Sequence, residues 1–402
     1  MKLQRLPLSC LVSAILVLPA AAHAVNLVDL GLNTVVFGLG DTGQVLQRTN
    51  QSAGLVLTGP GGQNPVDYAS PLVDGVSSGL RAMSRDGQYV AGYLRQGSTV
   101  ANTFVAGIQG DHVTPLSFPS GTGANWPDAV NDLGMVAGTY QDASGLNHAF
   151  VSDAQGVVTP IVPQSASSLV IALNNRGQVL GLASVEGGDE FFYTQSGTGT
   201  LIVPSDYQPY ALSDSGIVAG LAANGHLVMT KPDGQGLIDL GSPGDSATFV
   251  SPVGVSDSGL IVGNYSIANS ITLNTGGGDF SNVPVSYTPS VFVQGLNGQG
   301  FQDINSLISM PAGARLTYAQ QPTGLTNSGQ FIAAASNGHS YLVQLIADQV
   351  PLPVPVPVPV PLPPTLPPVV PEPASFQLMG LGLLGLMLAF ARQRPRGLSL
   401  RN

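Results

Sequence analysis

Three features of this 402-residue sequence predict an all-β fold: a seven-bladed β-propeller of four-stranded antiparallel blades, closed by the N-terminal strand. A short turn-and-strand pattern recurs seven times. Its turn glycines, Gly43, Gly87, Gly134, Gly177, Gly216, Gly259 and Gly329, are spaced by 44, 47, 43, 39, 43 and 70 residues. Further strand-like segments fill each interval, and a glycine-rich period near 40–45 residues is the signature of a propeller array.

The clearest copy is Asn131-Asp132-Leu133-Gly134-Met135-Val136-Ala137-Gly138. Asn and Asp bond to nearby backbone and tolerate tight turns, and the glycine supplies a positive φ without steric cost. Such a turn joins two antiparallel strands. The apolar run after it reads as a short buried strand, and its closing Gly138 marks a bulge or a close backbone approach.

An aromatic strand follows in most repeats, as in Thr103-Phe104-Val105, His148-Ala149-Phe150-Val151 and Phe191-Phe192-Tyr193. An outer strand comes next, as in Thr159-Pro160-Ile161 and Ile238-Asp239-Leu240. With the strand before the turn, each repeat holds four. The seventh repeat lacks its fourth, while Asn26–Gly31 is a spare strand at the start, so the N-terminal strand is expected to complete the last blade. The strand before each turn carries Ala82, Ala129, Ala172, Ala211, Gly254 and Gly324 at matching places. Small residues fit the crowded innermost strand beside the axis.

Residues 1–24 read as an export signal for the Sec machinery. Lys2 and Arg5 start it, Leu8–Leu18 is a short apolar run, and Ala22-His23-Ala24 is a small-x-small cleavage site. The sole cysteine, Cys10, lies inside this signal, so the mature chain has no disulfide. Residues 25–348 form the repeat region, with 7 basic and 22 acidic side chains and a net charge of −15. That balance argues against nucleic acid as a partner.

Residues 349–370 are a proline-rich linker. Eleven of the 21 residues from Pro351 to Pro371 are proline, which rules out a helix and predicts an extended rod of about 65 Å. Residues 371–402 change character again. Pro371-Glu372-Pro373 precedes an uncharged 18-residue run, 374–391, just long enough for a membrane helix. Arg392, Arg394 and Arg396 follow as a cytoplasmic basic anchor, with Arg401 beyond.

This tail resembles the PEP-CTERM sorting signal of Gram-negative bacteria. The resemblance rests on the Pro371-Glu372-Pro373 tripeptide, the Leu/Gly-rich run Leu378–Phe390 and the arginine cluster, in that order. It implies an exosortase partner, processing near the tripeptide, and a final place at the cell surface or outside the cell. It also implies an association with exopolysaccharide. The body resembles the extracellular HAF-repeat proteins through His148-Ala149-Phe150, and Asp303-Ile304-Asn305-Ser306-Leu307-Ile308 resembles a long late segment of that family. That family brings no enzymatic activity to carry over.

Candidate chemistry is sparse. His148, His226 and His339 hold the same place in three repeats, so a ring keeps them apart, and His112 stands alone on a turn. Asp132, Asp214 and Asp257 sit in turns that lack the spacing of a calcium loop, and turn capping accounts for them. Glu186, Asp189 and Glu190 cluster on one loop, whereas glycoside cleavage needs carboxylates facing each other across a cleft. Trp126, the sole tryptophan, packs in a blade or stacks a sugar. No catalytic, cofactor or metal site is therefore expected.

Two insertions, Asn269–Tyr287 and Ser306–Tyr318, are either solvated excursions or grafted binding loops. The sequence thus predicts an exported, exosortase-sorted, non-enzymatic protein of the exopolysaccharide matrix. A carbohydrate-binding module and a polysaccharide hydrolase or lyase are the alternatives.

Overall fold

A computed structural model describes residues 25–345 apart from 50–53, 70–77, 97–98, 162–166, 187, 195–199, 203–206, 233, 235, 245–246, 275–278, 296–297 and 322–323. The export signal with Ala22 and Ala24, the proline linker, Pro371-Glu372-Pro373, the run 374–391 and the arginines all lie outside the described residues. Among the described residues no helix is long and apolar enough to cross a membrane.

The described chain forms seven four-stranded antiparallel sheets. Blade 3 shows the plan: Asn125–Val130, Val136–Gln141, Asn147–Ser152 and Val158–Pro160, each strand paired to the next. Blades 1, 2, 4, 5 and 6 start at Val35, Ser78, Ser167, Tyr207 and Ala247 and repeat that order. Blade 7 is built from Leu316–Ala319, Gln330–Ala335 and His339–Leu345, and its fourth strand is Val25–Leu32. The register of that closing pair runs from Val25 opposite Leu345 to Leu32 opposite His339.

The seven turn glycines have φ between 70° and 86°, and each donates its N–H back to the carbonyl three residues earlier. The second glycine has a different task. The first strands of blades 1 to 6 all bulge at one place, in blade 3 between Pro127 and Ala129. Gly138 lies against that bulge, and a Cβ there would collide with the Trp126 carbonyl and the Phe150 ring. Gly92, Gly181 and Gly263 face the same pair, a first-strand carbonyl and a third-strand phenylalanine. The repeat therefore keeps this glycine so that Phe104, Phe150, Phe192 and Phe292 can lie flat against bare backbone, fully buried. Each such ring contributes on the order of 1.5–3 kcal/mol of burial. The core is spread between blades: Phe150 packs with Ala82, Ala91 and Val105 of blade 2 as well as with its own sheet.

Blade 1 holds the four strands expected of each repeat, although its third, Leu55–Leu57, carries no aromatic marker. Two local expectations change. The insertion 269–287 is no plain loop. It prolongs two paired strands, Ile261–Asn274 and Asp279–Gln294, because its register continues the blade 6 ladder. The insertion 306–318 overlaps the first strand of blade 7, which begins at Leu316, well before Gly324.

Candidate functional site

The first strands converge on the axis. Their small residues, with Gly38 in blade 1, line an axial cavity of about 170 Å³. A Cβ on Gly38 would strike Met83 of blade 2, and one on Gly254 would strike Leu325 of blade 7. Small residues are thus required by strand-to-strand approach at the hub.

Of the second residues of the seven turns, Asp41, Arg85, Asn175, Asp214 and Asn327 line this cavity, and Asp132 and Asp257 are bonded to Asn175 and Asn327. The backbone N–H of Asp86 donates to Asp132 Oδ1 at 2.8 Å, that of Asp132 to Asn175 Oδ1 at 2.9 Å, and that of Asn175 to Asp214 Oδ1 at 2.8 Å. Ser215 N–H donates to Asp257 Oδ1, and Asp257 N–H to Asn327 Oδ1 at 2.9 Å. The ring closes where Ser328 Oγ donates to the Asp41 carbonyl and Asp41 N–H donates to the Arg85 carbonyl. The turns of blades 2 to 6 are therefore each held by the side chain of the next blade, and those of blades 7 and 1 by bonds to backbone carbonyls. Capping within a turn falls to the first residue: Asn131 Oδ1 accepts from its own Leu133 and Met135 N–H groups. Asp132, Asp214 and Asp257 staple one blade to another rather than capping their own turns, whereas Asp86 caps its own by accepting from the Gln88 N–H.

The ring carries four carboxylates and one guanidinium. Asn175 Nδ2 donates to Asp132 Oδ2 at 2.6 Å and to Asp214 Oδ2 at 3.1 Å, and Asn327 Nδ2 donates to Asp257 Oδ2 at 3.0 Å. Arg85 extends across the hub toward blade 7, where a Cβ on Gly324 would lie 3.1 Å from Nη2. Burial pushes the Asp41 and Asp132 carboxyls above their usual range, with Arg85 opposing this at Asp41. Burial likewise lowers Arg85, and Asp41, Asp214 and Asp132 counter it. Among the described residues no group of three His, Cys, Asp or Glu side chains is arranged to hold a metal ion.

The repeat histidines each take a carboxylate partner. His148 Nε2 lies 3.0 Å from Asp142, His226 Nδ1 2.9 Å from Asp239, and His339 Nδ1 2.9 Å from Asp29. The last two share a motif that spacing alone hides. Asn224-Gly225-His226 faces Asp239-Leu240-Gly241, and Asn337-Gly338-His339 faces Asp29-Leu30-Gly31. In both, the glycine N–H donates to the aspartate at 2.8 Å. The N-terminal strand is thus held by the latch that blade 5 uses internally. Bonds from Ser144 and His148 hold the Asp142 carboxyl well below its usual range, and bonds from His226 and the Gly241 N–H lower Asp239.

The remaining candidates stay apart. His112 is exposed on a turn beside Asp111. Glu186, Asp189 and Glu190 are exposed at one hairpin, where Asp189 accepts from Ser184 Oγ. Trp126 is half-buried on the first strand of blade 3.

The second insertion packs against the strand that leaves the first. Asn305 Nδ2 donates to Ser290 Oγ at 2.9 Å, and Leu316 N–H donates to Asn305 Oδ1 at 2.8 Å. Arg315 lies 3.6 Å from Asp303. Asn264 on blade 6 bonds the Ala319 backbone of blade 7 at both its N–H and its carbonyl.

Residues 369–394 match the PEP-CTERM protein-sorting motif. The chain therefore carries a signal for export and exosortase targeting. A search of curated proteins finds no match. Similar solved structures include an oligogalacturonate lyase from Vibrio parahaemolyticus, at 10% identity over 81% of this chain and 99% of that one, with a TM-score of 0.49. YCF48 from Cyanidioschyzon merolae is 11% identical over 80% and 99%, with a TM-score of 0.45. Virginiamycin B lyase from Staphylococcus aureus is 11% identical over 80% and 100%, with a TM-score of 0.45. Enzymes and a protein not named as one stand side by side here, and likeness at this level decides no activity.

Proposed function

We propose that this chain is a non-enzymatic propeller of the HAF-repeat kind, a structural or interaction protein of the cell surface and exopolysaccharide matrix. The observation that carries the reading is where the polar side chains go. The carboxylates and amides of the hub bond one blade to the next, and the rim histidines bond carboxylates of their own blades. Groups committed to holding a scaffold are not free for acid–base work. An exosortase and the Sec machinery are its partners in export, and the uncharged run 374–391 crosses the inner membrane before processing.

Fractionation tests it. The wild-type protein is expected with the surface matrix and inert toward the host's own polysaccharide. Pro371→Ala, Glu372→Ala and Pro373→Ala together are expected to hold the full-length chain in the inner membrane. Depolymerisation of that polysaccharide by purified protein would replace this reading with the hydrolase or lyase one.

A further inference from the structure

Two charged side chains at the hub stand apart from its network of bonds. The amides are committed: Asn175 Nδ2 donates to Asp132 and Asp214, Asn327 Nδ2 donates to Asp257, and the Oδ1 atom of each accepts a backbone N–H. Asp132, Asp214 and Asp257 accept at both of their carboxylate oxygens. Asp41 Oδ1 and Arg85 Nη1 are different. Both atoms are buried, and among the described residues neither has a hydrogen-bond partner. The Asn327 N–H helps to hold the Asp41 charge, but burial works against the charge on both groups. Elsewhere the arginines at blade junctions are paired, Arg81 with Asp128 and Arg315 with Asp303. Asp41 and Arg85 both line the axial cavity. Asn327, on the same wall, is exposed, so the cavity is reached from the turns.

We propose that this cavity binds a small zwitterion, a free α-amino acid, whose carboxylate pairs with Arg85 and whose ammonium pairs with Asp41. Size and charge select that occupant. A cavity of about 150 Å³ takes a benzene, so one of about 170 Å³ holds on the order of six to eight non-hydrogen atoms. The two free groups are a donor and an acceptor of opposite charge, close enough to act on each other yet not bonded to each other. An α-amino acid carries both complementary charges on one carbon. A buried charge is costly until it is paired and hydrogen-bonded, and a guanidinium takes a carboxylate through two parallel bonds. A plain anion would satisfy Arg85 but face the carboxylates of the ring. A plain cation would satisfy Asp41 and leave Arg85 alone. A neutral polyol would bond to both and bring charge to neither. Phe37, Met83 and Val130 on the cavity wall suit a short apolar side chain. The site is independent of where the chain is sorted, and it uses the hub atoms that do not hold blades together.

The test is isothermal titration calorimetry of the full-length chain in detergent with glycine, L-alanine and L-valine. Ethylamine is L-alanine without its carboxylate, propionate is L-alanine without its ammonium, and glucose is the neutral polyol. At least one of the three amino acids is expected to bind one to one and to saturate at ~1 mM or below. Ethylamine, propionate and glucose are each expected to bind about tenfold more weakly or worse. Asp41→Asn keeps the side-chain shape and removes its charge, so L-alanine should then bind no better than propionate. Arg85→Gln should bring L-alanine down to ethylamine in the same way. Leu133→Ala, an exposed change in blade 3, should bind as the wild type. Should Arg85→Gln misfold, Asp41→Asn carries the test, and the ligand series on the wild type decides without either. Failure of all three amino acids to bind would overturn the proposal. Equal binding of ethylamine, propionate or glucose would overturn it in favour of a cation, an anion or a polyol. Undiminished binding of L-alanine by folded Asp41→Asn would place the ligand elsewhere and overturn it as well.

Discussion

Aspartate does opposite things at the hub and at the rim. At the hub, Asp41 and Asp132 are crowded into a ring of seven turns, and burial pushes their carboxyls up. At the rim, Asp142 and Asp239 sit in water, and hydrogen bonds pull theirs down. Hub carboxylates are thus kept for the bonds they make between blades, despite the cost of holding their charge. Rim carboxylates gain from being charged. The position of a residue in the ring, more than its local motif, sets its chemistry.

The largest expected effect is at the hub. Arg85→Met leaves Asp41, Asp132 and Asp214 without their cation, and removal of one partner from a buried ionic group costs about 3 kcal/mol. A raised carboxyl favours the protonated form in the fold. Its contribution is present below the ordinary aspartate range and is lost as pH rises through the raised value. The penalty of Arg85→Met should therefore shrink between pH 7 and pH 4, as read by urea unfolding. An equal penalty at both would break the contrast between hub and rim.

Gly138→Ala comes next. It forces a Cβ into the Trp126 carbonyl and the Phe150 ring, at a cost of about 2 kcal/mol of overpacking. The same change at Gly145, a positive-φ turn with open space around it, should cost less, of order 1 kcal/mol. Thermal unfolding of both variants sharpens the distinction between packed blade and free rim.

Smaller still is Asp239→Asn. A lowered carboxyl contributes stability above the ordinary aspartate range and loses it as pH falls through the lowered value. A slight drop in midpoint is expected at pH 7 and a smaller one as pH falls below the ordinary aspartate range, the reverse of the hub.

Much of the fold was legible because it is local. A turn glycine needs a positive φ, a buried strand needs an apolar run, and both leave marks at fixed spacing. Closure by the N-terminal strand was legible as a missing strand at one end and a spare one at the other. The third strand of blade 1 was expected from the count of four but could not be placed, because Leu55–Leu57 carries no ring where most blades have one. The strands through 269–287 were hidden by polar and glycine-rich composition, since pairing partners outweigh propensity in a ladder. The ring of staples was invisible for a deeper reason. Asp132 takes its partner from blade 2 and Asn175 takes its own from blade 3, and nothing within one repeat reports on the next. The shared latch of His226 with Asp239 and His339 with Asp29 was within reach, since Asn-Gly-His occurs twice and two of the three Asp-Leu-Gly copies lie in strands that pair with it.

Ring closure is the claim on which the rest depends, and one cross-link measures it. Asn26 stands opposite Gln344, and residues 25–402 hold no cysteine. Asn26→Cys with Gln344→Cys, exported into an oxidising compartment, should give a monomer with a disulfide between those positions and a raised thermal midpoint. Free thiols or only intermolecular bridges would mean that the N-terminal strand does not complete the seventh blade.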